Sequence, residues 1–147
     1  MFEFCSFLSL GNMPSRLSQP TGLYYDESNE NLYIANSGAS DNVIRWHIGD
    51  PNGTFIAGLP TSSGGNASQL LNPAGITLDQ WQNLYVADRS NGRIQLFCNG
   101  SRTGITIAGR GTGATNFSNP YDVKLDSQLN LYVSDYSLQR VFKFCKL

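Results

Sequence analysis

"NLYVADRSNGRIQLF", residues 83–97, sets two short apolar runs on either side of a polar turn that contains a glycine. The first run, "LYVA", is rich in the residue types that suit a half-buried pleated surface, while Asp, Ser, Asn and Gly fill the gap. No helical period of 3.6 survives across that gap, so the stretch reads as a strand, a turn and a second strand. The chain writes it almost three times: residues 130–144 read "NLYVSDYSLQRVFKF", and residues 31–46 read "NLYIANSGASDNVIRW", with one extra turn residue. A hairpin that recurs along one chain predicts a repeat architecture.

The repetition continues upstream of each hairpin. "QPTGLYYD" ends at Asp26, "NPAGITLD" at Asp79 and "NPYDVKLD" at Asp126, which adds a strand before each hairpin. A fourth element follows two of the copies, since "FIAG" ends at Gly58 and "TIAG" at Gly109. Pro20, Pro73 and Pro120 mark the period as 53 and then 47 residues. Four short strands in about that length are the arithmetic of a propeller blade.

The unit "NPAGITLD-QWQNLYVAD-RSNGRIQLF" resembles an NHL repeat of the β-propeller class, and the resemblance covers about residues 17–147. It rests on Pro-x-Gly, an apolar strand ending in Asp, the "NLYVAD" core and an Arg-led strand, recurring in that order. Copy one carries Asn36 for the Asp and Asn42 for the Arg, and copy three carries Asp122 for the Gly. The resemblance implies an all-β domain of about three four-stranded antiparallel blades. On this reading residues 17–58 form blade 1, 71–109 blade 2, and 117–147 a blade 3 without its own fourth strand, while 1–16 form a partial blade of a third and a short fourth strand. The Pro-x-Gly strands would lie innermost. Leu23, Tyr25, Ile76, Leu78, Val123 and Leu125 are expected in the core because they alternate on one face of those strands.

The partial blade is read from internal matches. "MFEFCSFLSLG" has no basic n-region, carries Glu3 and is short for a signal peptide. "FEFC" at 2–5 instead matches "QLFC" at 95–98 and "FKFC" at 142–145. The same matches place Cys5, Cys98 and Cys145 at one repeat position, so repetition accounts for the three cysteines. With no CxxC and no Cys/His spacing, a structural zinc is not indicated, and no cofactor is expected.

Composition narrows the function classes. A chain of 147 residues can bury one real core. Its net charge of −1 provides no field to draw in a polyanion, and its Lys residues are only Lys124, Lys143 and Lys146, so nucleic acid is a disfavoured partner. No apolar run approaches the roughly 18 residues of a membrane span.

Catalytic sets are hard to assemble. His47 is the single His and directly follows Trp46, whereas an amidating-lyase-like propeller would be expected to place several His around its axis. A gluconolactonase-like propeller holds a divalent cation at the axis, with a carboxylate available in the Pro-x-Gly turn. Here those turn positions are Thr21, Ala74 and Tyr121, none of them a hard anionic ligand, and Asp122 is one step away. These four residues are therefore candidates for binding at the axis face, with no catalytic or metal residue assigned. Asp88 with Arg93, and Asp135 with Arg140, share one spacing in one turn and are expected to pair structurally across it. "GRGTGATNF" at 109–117 is glycine-rich, but a strand start follows it where a phosphate loop needs a helix, so it reads as an interblade link. Asn52, Asn66, Asn99 and Asn116 each open an Asn-x-Ser/Thr triplet and are candidate glycosylation sites. They favour an extracellular compartment without fixing one.

The expected function is a non-catalytic NHL-type scaffold for protein or peptide ligands. The alternatives are a gluconolactonase-like or amidating-lyase-like enzyme fragment and an RNA-binding NHL propeller. Propellers close with about four to eight blades, so about three blades imply either self-association, with residues 7–10 supplying the missing strand of a partner's last blade, or a longer parent chain. A stable monomer in sedimentation would contradict both.

Overall fold

A computed structural model of the chain describes residues 17–38, 41–110, 112 and 115–146. The expected partial blade at 1–16, with Cys5, lies outside them. Eleven strands form three antiparallel sheets among the described residues. Blade 1 contains β1 (Pro20–Asp26), β2 (Asn31–Asn36), β3 (Asn42–His47) and β4 (Thr54–Ala57) in that order. Blade 2 repeats it with β5 (Pro73–Leu78), β6 (Leu84–Asp88), β7 (Arg93–Phe97) and β8 (Ile105–Gly109). Blade 3 has three strands, β9 (Pro120–Leu125), β10 (Leu131–Asp135) and β11 (Arg140–Phe144). Helical backbone among the described residues is confined to two 3₁₀ turns, Glu27–Asn29 and Arg89–Asn91.

Register follows the repeat. Leu84 faces Phe97 and Asp88 faces Arg93 across β6–β7, as Leu131 faces Phe144 and Asp135 faces Arg140 across β10–β11. The turns and links divide between two ends of the sheets. Turns between second and third strands lie with the interblade links at what we call the upper face, and turns between first and second strands lie at the lower face.

Two apolar clusters join the blades. Tyr33, Ala35, Val43 and Ala57 of blade 1 pack against Ile76, Leu78, Leu84, Val86 and Phe97 of blade 2, with Leu70 from the link buried among them. Ala87, Ile94 and Ala108 on the other face of blade 2 pack against Val123, Leu131 and Val133 of blade 3. Phe117, from the second link, meets Phe142 and Phe144 edge to face at centroid distances of 5.4 and 6.0 Å. Alternation along each strand thus gives blade 2 two buried faces.

The expected core needs one correction. Ile76, Leu78 and Val123 are buried and Leu125 is half-buried, but Leu23 and Tyr25 are 62% and 52% exposed. Ile76 and Leu78 face blade 1, so the equivalent positions of β1 point away from blade 2, where the described residues supply no neighbouring blade. Val141, on the far face of blade 3, is likewise 70% exposed.

Close approach at the axis explains the Pro-x-Gly glycines. A Cβ on Gly22 would strike the Ala74 carbonyl oxygen, and one on Gly75 would strike the Asp122 carboxylate. β5 and β9 thus each rest on the glycine of the blade before them.

Candidate functional site

The residue ending each second strand ties down the chain entering its own blade. Asn36 Oδ1 accepts the Ser18 backbone N–H at 2.6 Å, Asp88 Oδ1 accepts that of Leu71 at 2.8 Å, and Asp135 Oδ2 accepts that of Ser118 at 2.7 Å. This positions the chain where it enters each blade on the upper face.

From there blades 2 and 3 diverge. Arg93 Nε donates to Asp88 Oδ2 at 2.7 Å, with both side chains buried. Its remaining donors do more than complete a turn pair: Nη1 donates to the Gly65 carbonyl at 2.8 Å, and Nη2 to those of Asn66 and Gln69 at 3.0 Å each. Asn91 adds bonds to the Gly64 carbonyl and to Asp88 Oδ2. Burial pushes the Asp88 carboxyl above the ordinary value of 3.8, against the pull of the Leu71 N–H, Asn91 and Arg93. The upper face of blade 2 is thereby filled by its own link.

Blade 3 overturns the second expected pair. Asp135 accepts from the backbone N–H groups of Ser118, Asn119 and Leu138, whereas Arg140 is exposed and forms no ion pair among the described residues. The physical reason is the link: 110–119 is shorter than 58–72, and Leu138 stands where blade 2 has Asn91. Among the described residues no ring of link carbonyls surrounds Arg140, so its hydration outweighs a pairing with an already satisfied carboxylate.

The four axis candidates do not form one site. Thr21 donates its hydroxyl to the Pro73 carbonyl at 2.8 Å, and Ala74 is buried. Asp122 Oδ1 accepts the Val123 N–H at 2.9 Å and lies 3.3 Å from Lys124 Nζ, which also donates to the Ile76 carbonyl at 3.2 Å. These groups are held by backbone or by each other. Tyr121 instead turns to the upper face, where its ring lies 6.2 Å from that of Tyr136 and 5.7 Å beneath the Arg89 guanidinium. Tyr121 is 47% exposed and Tyr136 73%. With Ser134, Arg140 and Val141 they line an open depression of about 710 Å³.

Sequence reasoning did not single out Tyr136 or Arg89. The signal was there: aligning "DRSNGR" with "DYSLQR" shows Tyr136 in the place of Arg89, in the hairpin with the shorter of the two interblade links. The candidate acceptors Asn52, Asn66, Asn99 and Asn116 are all exposed. Cys98 and Cys145 are exposed free thiols. No group of three or more His, Cys, Asp or Glu that could hold a metal ion occurs among the described residues. No helix of the described residues is long and apolar enough to cross a membrane.

Comparison with known proteins agrees with this architecture. The NHL repeat model matches residues 70–97, the entry to blade 2 and its first three strands. An auxiliary nutrient binding protein from Bacteroides ovatus superposes with a TM-score of 0.71 at 16% identity, over 89% of this chain and 38% of its own. A chain of the nidogen/laminin complex gives 0.68 at 20% identity, over 88% and 44%. A gluconolactonase from Xanthomonas campestris gives 0.58 at 15% identity, over 82% and 36%. The chain thus spans less than half the length of each. No curated protein sequence matches it. Residues 70–97 thus match an NHL repeat, and the blades around them have the β-propeller fold.

Proposed function

We propose that the protein is a non-catalytic binding scaffold that takes a protein or peptide ligand on the upper face of blade 3. The observation that carries this reading is the exposed Tyr121–Tyr136 pair under Arg89, beside the exposed Arg140. Tyrosine offers large rigid contact area at little conformational cost, and a half-exposed cation over its ring adds a polar anchor. Two guanidiniums flanking two phenols suit a segment that carries an acidic residue next to an apolar or aromatic one. The same reading has the exposed faces bearing Leu23, Tyr25 and Val141 covered by further blades, from a second copy or a longer parent chain, because that apolar surface is costly in water at about 25 cal/mol per Å².

Selection from a linear peptide library tests the site. Enriched peptides should bind the parent chain and the lower-face variant Trp81→Ala alike, and lose most of their affinity for Tyr121→Ala/Tyr136→Ala. Retained binding by the double variant would refute this location.

A further inference from the structure

A second cavity opens far from that surface, between the outer parts of blades 1 and 2 on the lower face, with a volume of about 220 Å³. Its floor is apolar: Phe55 and Ile56 of β4 meet Leu84 and Phe97 of blade 2. Its walls carry donors. Tyr33 donates its hydroxyl to Gln82 Oε1 at 3.0 Å, which bridges the two blades. Arg45 lies directly across the β2–β3 ladder from Tyr33, with its guanidinium against the phenol. Arg102, from the turn after β7, reaches back across the seam and donates to the Phe55 carbonyl at 3.1 Å.

The charge arrangement is uneven. The whole chain has a net charge of −1, yet two guanidiniums border this one cavity and no Asp or Glu lines it. Neither Arg has a carboxylate partner among the described ion pairs. A guanidinium presents five N–H donors, and the bond from Arg102 to Phe55 leaves most of them for another acceptor. Burial raises the Tyr33 phenol above its ordinary value of 10.0, while Arg45 draws it back down and the Asp26 charge pushes it up. The phenol therefore stays protonated at neutral pH. It directs its hydrogen to Gln82 and leaves the two guanidiniums as the cationic end of the cavity.

We propose that this seam is a binding site for a small monocarboxylate with an apolar body, the carboxylate held between Arg45 and Arg102 and the body laid on Phe55, Ile56, Leu84 and Phe97. The pairing of a planar guanidinium with a carboxylate fits the donors present. The volume is below the roughly 300–1,000 Å³ of pockets for drug-sized ligands, which limits the body to about the size of one aromatic ring and a short chain. A primary amine on the same body would be repelled. A bare inorganic anion would leave the apolar floor uncovered.

Titration of the full chain with 3-phenylpropionate, 3-phenylpropanol and 3-phenylpropylamine, followed by amide shifts in NMR, tests the site. The carboxylate should move the amides of Gly100, Ser101 and Arg102 and those of Thr54 and Phe55. The alcohol should bind at least about tenfold more weakly, the loss of roughly one charge-assisted hydrogen bond, and the amine should not bind. Arg45→Gln and Arg102→Gln should each weaken the carboxylate by about tenfold or more, with spectra otherwise native, while Arg110→Gln at the upper face leaves it unchanged. Equal binding of alcohol and carboxylate, full affinity in the two cavity variants, or shifts confined to other parts of the chain would each overturn the proposal.

Discussion

Blades 2 and 3 contain the same Asp and Arg at the same spacing, and put the Arg to opposite uses. In blade 2, Arg93 is sealed under its link and bonds three backbone carbonyls in addition to Asp88. In blade 3, Arg140 is in solvent beside two exposed tyrosines. The residues are equal; the length of chain that precedes each blade is not. A motif inside a repeat fixes which side chains face a given space, and the neighbouring link decides whether that space is filled or left open.

The most severe way to break the comparison is to remove the arginine from each blade in turn. Arg93→Ala strips a buried carboxylate of its cation and removes the guanidinium donors to the Gly65, Asn66 and Gln69 carbonyls, so we expect a loss of about 3–5 kcal/mol in urea denaturation. Arg140→Ala removes an exposed side chain and should stay within about 0.5 kcal/mol. Similar losses from the two variants would show that the blades are not organised as described.

How much of this the sequence could reveal depends on how local each signal is. The hairpins, the Pro-x-Gly strands and the strand-ending Asp are written in adjacent residues, so both the sheets and the Asp88–Arg93 contact were legible from spacing. The acceptors of Arg93 in the link are backbone carbonyls 24 to 28 residues upstream, and no residue type announces them. Alternation correctly placed Leu23 and Tyr25 on one face of β1, but it holds no information on whether a neighbour covers that face. The seam cavity is drawn from five separate stretches, each ordinary by itself. Arg45 and Arg102 become neighbours of one space only when two blades pack.

A smaller effect sharpens the contrast through pH. Asp126, in the lower-face turn of blade 3, accepts bonds from the Asn130 side chain first, and also from the backbone of Asn130 and Gln128 and from Tyr132, and these hold its pKa below 3.8. Its contribution to stability is therefore present above the unfolded value of about 3.9 and is lost as pH falls through the folded one. Asp88 is raised by burial, so its term has the opposite sign: it is fully present below the unfolded value and is lost as pH rises through the folded one. Carboxyl carbon shifts in NMR should show Asp126 titrating below Asp88. The reverse order would contradict both assignments.

The central claim is that the open upper face of blade 3, and not the filled one of blade 2, receives the ligand. Hydrogen–deuterium exchange of the chain with and without a selected peptide tests it most directly. We predict slowed exchange in residues 134–141 and around Tyr121, with residues 64–70 under Arg93 unchanged because their link is already tied down. Protection confined to the lower-face turns at 79–83 and 126–130, with none around Tyr121 and Tyr136, would contradict it.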